Sequence, residues 1–374
     1  IISFSTIEGG AEDPYYLGNT TTFGPDTTPN TNSNLNHPSG ITIEVLSPPG
    51  DTMAVAIRFA RFEEIWPITG LTADSRHAPR VADLNGDGTK EIIRAQNQAG
   101  AFGTSAWLMD GTPVDEPRFT ATSPPAIGNL MLATLSEFIF ANKNIPFLWR
   151  NGQIQSSDSL SIRPALFSAS PLIAPFPFDI PTDIWGRSDG TVEWGHFSGT
   201  PGSVSLNNPI TGFTVGQLDR DANSELIALT DIGQLFLVEG PNQALPLATF
   251  ITPVVGTPAM ADLDRDGDDE LVVVTSDGVL SILDRAGQVV RTDPVPGGAT
   301  SPAALGDLDN DGYIEALFSG RNNLWIIRFN GILQTNTPIA FPLKDQVGPI
   351  SASPLLADLD GDGTLEILAG TPGG

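Results

Sequence analysis

Oxygen-bearing side chains recur at fixed intervals in five nine-residue segments of this 374-residue chain. The segments, in chain order, are DLNGDGTKE at 83–91, QLDRDANSE at 217–225, DLDRDGDDE at 262–270, DLDNDGYIE at 307–315 and DLDGDGTLE at 358–366. Four of the five carry Asp or Asn at positions 1, 3 and 5, Gly at position 6 and Glu at position 9. A hard cation such as Ca²⁺ prefers a set of six to eight oxygen ligands, so these segments predict calcium-binding loops.

Side chains at positions 1, 3, 5 and 9 and the backbone carbonyl at position 7 are the predicted ligands, and Gly at position 6 permits the sharp turn between them. In the four complete loops these ligands are Asp83, Asn85, Asp87, Thr89 and Glu91; Asp262, Asp264, Asp266, Asp268 and Glu270; Asp307, Asp309, Asp311, Tyr313 and Glu315; and Asp358, Asp360, Asp362, Thr364 and Glu366. We predict one Ca²⁺ at each of these four loops.

The segment 217–225 departs from the pattern, because Gln217 stands at position 1 and Ala222 at position 6. Its remaining candidate ligands are Asp219, Asp221, Asn223 and Glu225. The sequence leaves open whether this fifth loop binds an ion. For all five loops the alternative is a solvated acidic turn without metal, but several Asp side chains in one tight turn would then repel one another.

Strands, rather than helices, are predicted on both sides of each loop. An EF-hand loop begins with the same spacing, but it requires Glu at position 12 and two flanking helices. Position 12 of the complete loops is instead Arg94, Val273, Phe318 or Ala369. The segments that follow, such as EIIRA, ELVVV and EALF, are short apolar runs of the kind found in buried strands.

A lead-in of Pro followed by small and apolar residues precedes the loops and also occurs at 123–140 and 170–185, where the acidic loop is absent. Counting these two segments, the repeats begin at 83, 129, 175, 217, 262, 307 and 358. Further turn signals divide each repeat into about four short strands. Seven repeats whose origins are 42 to 51 residues apart predict an all-β, seven-bladed β-propeller of four-stranded blades.

Repeats two and three are interpreted as blades that have lost the acidic loop but kept the register. In repeat two, Asn129 and Glu137 occupy positions 1 and 9. In repeat three, Pro175, Asp179 and Asp183 occupy positions 1, 5 and 9, and the two Asp residues are interpreted as relics of a lost loop.

The final repeat is too short for four strands, and residues 41–70 contain two strand-like runs that could complete it. We therefore predict two parts: an extended N-terminal arm at 1–40 and a propeller at 41–374, whose final blade is closed by N-terminal strands from 41–70. Such a clasp removes a free sheet edge. The arm is interpreted either as a flexible tail or as a segment that adds a strand to a neighbouring molecule. Asn19 and the Thr-rich residues around it are possible glycosylation sites.

The D-x-[DN]-x-D-G-x-x-E loops and their Pro-small-apolar lead-in resemble those of the FG-GAP/VCBS repeat family, whose best-known relatives are the integrin α-subunit propellers. The resemblance covers about residues 80–374. It implies a β-propeller whose loops bind calcium between strands of a blade. The family includes adhesion receptors, secreted lyases, lectin-like proteins and structural surface proteins, so the resemblance does not select a function.

Composition narrows the class of partner. The formal net charge is −26, from 18 basic and 44 acidic residues, which argues against nucleic acid and anionic membranes. There is no run of 18 apolar residues that would predict membrane insertion, and the absence of Cys excludes disulfides and thiol chemistry. Weak calcium loops work where calcium is millimolar, which favours an extracellular or cell-surface location.

No catalytic motif accompanies the loops. His37, His77 and His196 have no motif partners, and core packing is expected for most of the six Trp. We therefore expect a non-enzymatic, secreted or cell-surface structural or adhesive protein, stabilised by calcium. Its expected partners are further copies of itself, in a filament or surface layer, or another extracellular protein or glycan. The alternative is a carbohydrate-binding propeller with exposed aromatic residues, and a polysaccharide lyase or hydrolase ranks last.

Overall fold

The computed structural model is all-β, as the sequence predicts. It describes residues 21–23, 41–48, 54–59, 80–83, 90–98, 101–107, 113–114, 126–128, 137–142, 145–150, 153–156, 165–176, 180–197, 200–221, 223–308, 310–321, 323–329, 338–342, 354–358 and 363–368. Strands and turns account for this described part of the chain, and it contains no helix that could cross a membrane.

The chain divides into two compact units, Ile1–Pro67 and Ile68–Gly374. The first unit contains an antiparallel sheet of three strands, β1 (Thr22–Phe23), β2 (Ile41–Val45) and β3 (Val55–Phe59). Within the predicted arm, Thr22 and Phe23 therefore belong to a strand, because they pair with Glu44 and Ile43 of β2. Asn19 and residues 60–67 lie outside the described residues. The predicted clasp would join one unit to the other, and it stays a prediction.

The second unit contains six four-stranded antiparallel sheets, each built from strands consecutive in the chain. Their strands are β4 (Arg80–Ala82), β5 (Glu91–Gln98), β6 (Ala101–Trp107) and β7 (Pro113–Val114); β8 (Ala126–Gly128), β9 (Glu137–Asn142), β10 (Ile145–Arg150) and β11 (Gln153–Ser156); β12 (Leu172–Pro175), β13 (Pro181–Gly186), β14 (Thr191–Trp194) and β15 (Gly202–Ser205); β16 (Ile210–Gly216), β17 (Glu225–Thr230), β18 (Gln234–Gly240) and β19 (Gln243–Thr249); β20 (Ala259–Ala261), β21 (Glu270–Val274), β22 (Val279–Leu283) and β23 (Val289–Pro294); and β24 (Ala304–Gly306), β25 (Glu315–Ser319), β26 (Asn323–Arg328) and β27 (Ile339–Pro342). A seventh sheet consists, in the described residues, of β28 (Leu355–Ala357) and β29 (Glu366–Leu368).

The sheets follow one another in a propeller-like arrangement, because the first strand of each contacts the first strand of the next. These contacts join β4 to β8, β8 to β12, β12 to β16, β16 to β20, β20 to β24 and β24 to β28. The first two strands of each sheet are joined by a loop, and five of these loops are the acidic segments.

Apolar side chains fill the space between successive sheets. In β21 and β25 every residue is buried, because both faces of these strands are covered by neighbouring sheets. Alternate residues of a strand point to opposite faces, so Leu271 joins the core shared with the preceding sheet while Val272 joins the core shared with the following one. Complete burial of one such side chain stabilises the fold by about 1.5–3 kcal/mol. The acidic loops are therefore mounted on rigid strand ends.

Candidate metal centre

The segment Asp262–Glu270 is the acidic loop whose backbone is described without a gap. It turns through positive φ at Arg265 (64°) and Gly267 (97°), and the wide angle at position 6 explains why Gly stands there. The turn folds around Asp262, whose Oδ1 accepts a hydrogen bond from the Asp266 N–H at 3.1 Å and whose Oδ2 accepts one from the Gly267 N–H at 3.0 Å. Position 1 thus fixes the shape of the loop as well as offering oxygen.

The Glu at position 9 closes the loop from the first residue of the second strand. Glu270 Oε2 accepts a hydrogen bond from the Leu263 N–H at 2.9 Å. The same bond joins Leu218 to Glu225 at 2.6 Å and Leu308 to Glu315 at 2.8 Å. These three loops therefore present the position-9 carboxylate in one orientation.

Carboxylate oxygens converge in two of the loops. One oxygen from each of Asp262, Asp264 and Glu270 lies within 4.8 Å of the others. Asp219, Asp221 and Glu225, at positions 3, 5 and 9, converge in the same way in the loop 217–225, which departs from the sequence pattern and is called the degraded loop below. The donor set is entirely oxygen, which fits a hard cation such as Ca²⁺.

The electrostatics of the loop Asp262–Glu270 are unfavourable without a cation. Burial, followed by the negative charges of Asp264, Asp266 and Asp262, raises the pKa of Glu270 to about 7. Burial, followed by the charges of Asp266 and Asp262, also raises the pKa of Asp264. These carboxyl groups resist ionisation because of burial and because they lie beside other carboxylates. A bound divalent cation would relieve this, since its positive charge favours the ionised form.

Glu225 of the degraded loop 217–225 also resists ionisation beside other carboxylates. Burial, together with the charges of Asp219 and Asp221, raises its pKa. Asn223 is exposed there, and its N–H bonds to Asp221 Oδ1.

The described part of the loop 307–315 repeats the hydrogen bonds of the loop 262–270. Asp307 accepts hydrogen bonds from the Asp311 N–H at 3.1 Å and the Gly312 N–H at 2.7 Å, and the Tyr313 N–H bonds to Asp311 Oδ1 at 2.8 Å. Glu315 is buried at the start of β25. Asp309 lies outside the described residues.

The two remaining loops are described in part. At 358–366, the Gly363 N–H bonds to Asp358 Oδ2 at 3.2 Å, while Thr364 and Glu366 are half-buried. At 83–91, Asp83 is half-buried and Glu91 is buried. The predicted ligands Asn85, Asp87, Thr89, Asp360 and Asp362 lie outside the described residues.

Position 8 of one loop contacts position 1 of the loop before it. Asp269 accepts a hydrogen bond from the Gln217 N–H at 2.8 Å, and its own N–H donates to the Gln217 carbonyl at 2.6 Å. Lys90 makes the corresponding contact at the other end of the repeat array, because its Nζ donates to the Asp358 carbonyl at 2.7 Å. Sequence reasoning did not find these contacts, since they join residues far apart in the chain.

Repeat two keeps the register that the sequence predicts. Gly128 pairs with Glu137, as Gly306 pairs with Glu315 in a complete repeat. Glu137 is buried at the start of β9. Asn129 lies outside the described residues.

Repeat three corrects the predicted position of Asp183. Ala174, the residue before Pro175, pairs with Thr182, so Thr182 occupies the place of the position-9 Glu and the loop is one residue shorter. Asp183 pairs with Ile173 and faces the opposite side of the sheet. The interpretation of Asp183 as a relic of position 9 is therefore wrong, and Asp179 lies outside the described residues.

Protein donors surround the Asp183 carboxylate. Its oxygens accept hydrogen bonds from Trp185 Nε1 at 2.8 Å, the His196 N–H at 2.9 Å and the Phe197 N–H at 3.0 Å. Asp183, Trp185 and His196 are all buried. This carboxylate holds the end of β14 against β13 and is not available to an ion from solvent.

A second buried network lies beside it. Arg187 pairs through Nε with Glu193, donates from Nη1 to the Ala165 carbonyl at 2.8 Å and covers the Phe167 ring at 4.1 Å. His196 Nε2 lies 3.4 Å from Glu193 Oε1. Burial alone would raise the pKa of Glu193, but the hydrogen bonds and charges of His196 and Arg187 lower it below its ordinary value.

No group resembling a catalytic centre is formed by the described histidine and tryptophan side chains. His196 is buried within the network around Glu193, and Trp185, Trp194 and Trp325 are buried in the cores between sheets. His37 and His77 lie outside the described residues, as do Trp66 and the side chains of Trp107 and Trp149.

Comparison with known proteins agrees with this architecture. Residues 307–369 match the model of the FG-GAP-like repeat, which confirms the resemblance predicted from the loops. No curated protein sequence matches the chain.

Solved structures give the fold. The crystal structure of BBS1N in complex with ARL6DN, soaked with lead, is similar with a TM-score of 0.59 at 13% identity, over 82% of this chain and 92% of that one. The streptogramin B lyase structure is similar with a TM-score of 0.53 at 16% identity, over 82% and 93% of the two chains. At such low identity the likeness establishes a propeller-like fold and no shared activity.

Proposed function

We propose that this all-β, propeller-like chain with its FG-GAP-like repeat is a calcium-stabilised structural or interaction protein without enzymatic activity, which acts outside the cell or at its surface. The observation that carries the proposal is the convergence of three carboxylates in each of two equivalent loops, Asp219–Glu225 and Asp262–Glu270. The other three acidic loops extend the same set of ligands.

The proposed role of the ions is mechanical. Each loop joins the first and second strands of a sheet, and its position-9 Glu is the first residue of the second strand. A Ca²⁺ held by positions 1, 3, 5 and 9 would connect the two strand ends and offset the burial and the repulsion that together raise the pKa of Glu270. Four complete loops and the fifth at 217–225 would then stiffen one end of the sheets.

A ring of seven blades is the arrangement that the contacts favour. Six four-stranded sheets and the pair β28–β29 follow one another through contacts between their first strands. Lys90 of the first sheet's loop reaches Asp358 of the last sheet's loop in the way that Asp269 reaches Gln217 in neighbouring sheets. We therefore propose that the first and last sheets are neighbours.

The surface of such a ring suits binding rather than catalysis. Three of the six Trp are buried, so these three cannot stack on a sugar, which weakens the carbohydrate-binding alternative. Partners through the N-terminal arm, including further copies of the chain in a filament or surface layer, belong to the same proposal.

Calcium binding and thermal unfolding test the proposal together. Equilibrium dialysis against radioactive Ca²⁺ should give four to five bound ions per chain, and the melting temperature should fall when excess chelator removes them, since a ligand of the folded state stabilises it. Mg²⁺ at the same concentration is the control, because it prefers a smaller octahedral site. A chain that binds no Ca²⁺, or that melts identically after its bound ions have been removed, would contradict the proposal.

A further inference from the structure

Arg220 connects the degraded loop 217–225 to the complete loop 262–270. It stands at position 4 with φ of 57°, and its side chain extends to the neighbouring loop. Nη2 lies 2.9 Å from Asp266 Oδ1 and Nε lies 2.7 Å from Asp268 Oδ1. The guanidinium passes so close to Gly267 that a Cβ on that residue would lie 3.2 Å from Nε. The contact is therefore an ion pair with two carboxylates of one turn.

The two loops differ in what their position-5 carboxylate does. In loop 217–225, Asp221 belongs to the converging group with Asp219 and Glu225. In loop 262–270, the group found among the described residues contains positions 1, 3 and 9, and Asp266 at position 5 is paired with Arg220 instead. For Asp266 to join the other three carboxylates through Oδ1, that oxygen must leave the guanidinium.

The other position-4 side chains that the structure describes make a different contact. Arg265 reaches the backbone carbonyl of Asp311 at 3.3 Å and covers the ring of Tyr313 at 3.7 Å. Asn310 Nδ2 lies 3.5 Å from the Gly363 carbonyl. Within the described residues, Arg220 is thus the position-4 side chain that pairs with a predicted ligand carboxylate, that of Asp266.

We propose that Arg220 is an internal competitor of the cation at loop 262–270 and sets the calcium affinity of that site. This inference rests on the proposed function of the loops as calcium sites. Without calcium, the guanidinium compensates Asp266 and Asp268 and holds the turn in shape. When Ca²⁺ binds, Asp266 exchanges the guanidinium for the ion, so the cost of breaking the pair is subtracted from the affinity. The degraded loop thereby regulates its complete neighbour.

The test removes the guanidinium and measures calcium at one site. Arg220→Gln is compared with Arg285→Gln, which removes the same charge from an exposed turn elsewhere. Each chain is also made with Asp264→Asn, and the difference in bound calcium between a chain and its Asp264→Asn form isolates loop 262–270. We expect Arg220→Gln to tighten this site about threefold to fivefold, the range that loss of an exposed ion pair allows. Arg285→Gln should leave its affinity unchanged.

A second measurement, of thermal stability without calcium, should show a loss where calcium affinity shows a gain. In excess chelator, Arg220→Gln should melt at a lower temperature than Arg285→Gln, because it lacks the guanidinium that compensates Asp266 and Asp268 when no calcium is bound. Unchanged or weaker calcium binding by Arg220→Gln would overturn the proposed competition while leaving the calcium sites in place. If the parent chain binds no calcium, the proposed function and the competition both fail, and the two failures are thereby distinguished.

Discussion

Loop 262–270 and the sheet β12–β15 both contain several acidic side chains, but their negative charges are compensated in different ways. In the loop, Asp262, Asp264 and Glu270 converge close to solvent, and Arg220 of the neighbouring loop is the positive charge that the structure brings to this turn. In the sheet, Asp183 and Glu193 are buried and take their compensation from Trp185, His196 and Arg187. The comparison indicates that carboxylates can be balanced by donors of their own repeat, as in the sheet, or by a charge from a neighbouring repeat, as at the loop, where we propose that an ion also binds.

The first consequence is that the stability of the two regions should depend differently on calcium. Stability that comes from internal donors is independent of calcium, whereas stability that comes from a bound ion is lost in chelator. The following variants separate the two, from the largest expected effect to the smallest.

Arg187→Ala should have the largest effect. It leaves Glu193 buried without its guanidinium, and breaking a buried ion pair in this way costs about 3–5 kcal/mol. Urea unfolding should show the same loss in calcium and in chelator. Arg285→Ala, at an exposed turn, is the matched control and should change stability by less than about 0.5 kcal/mol. A loss that depends on calcium would remove the contrast between the two regions.

Trp185→Phe should have the next largest effect. The ring is kept and the indole N–H that donates to Asp183 is lost, which costs about 1–3 kcal/mol for a buried carboxylate. The loss should again be equal with and without calcium. Trp194→Phe is the control, because Trp194 is buried in the core on the other face of the same sheet. Equal losses in the two variants would show that packing, and not the bond to Asp183, is responsible.

Asp264→Ala should remove one ion and only the stability that this ion supplies. At 2 mM calcium, and with the dissociation constants of about 10⁻⁴–10⁻³ M typical of extracellular modules, that is about 1 kcal/mol. In chelator the variant should be as stable as the parent, because one of three mutually repelling carboxylates has gone. Differential scanning calorimetry with and without calcium checks both halves. An equal loss in chelator would assign Asp264 to the fold rather than to an ion.

The last contrast is the pH dependence of the calcium-free protein, to which Glu270 should contribute most because its pKa is raised further than those of Asp264 and Glu225. The pKa of Glu270 is about 7 in the folded chain and about 4.5 in an unfolded one. Between these values the folded state holds more protons, so the free energy of unfolding should fall as pH rises from about 5 to 7. Calcium should abolish this slope by binding the ionised form. Glu270→Gln should remove most of the slope, and a slope unchanged in that variant would assign it to other groups.

Much of the fold could be predicted from local sequence. The runs that begin at Glu91, Glu270 and Glu315 are strands in the structure, as their apolar and β-branched composition indicates. The pairing of Gly128 with Glu137 confirms the register inferred for repeat two. Both predictions depend on residues that are neighbours in the chain, which is the range over which turn chemistry and side-chain alternation act.

Repeat three shows where local reasoning fails. A loop shorter by one residue moves Asp183 to the opposite face of β13, because successive side chains of a strand alternate. The sequence spacing of Asp183 from Pro175 matches position 9, so no local signal distinguishes a relic from a buried anchor. Trp185 lies two residues along the same strand, but His196 becomes a visible partner only when β13 and β14 are paired.

Sequence alone determined the candidate oxygen ligands, the turn at position 6 and the strands on either side of each loop, since all of these follow from residues within about ten positions of one another. Tertiary structure decided which charge meets each loop. Arg220 and Asp266 are 46 residues apart in the chain, whereas Arg187 and Glu193 are brought together by the pairing of β13 with β14 and are buried by the packing of the sheets. Electrostatic energies depend on distance and burial, and both are set by how the sheets pack.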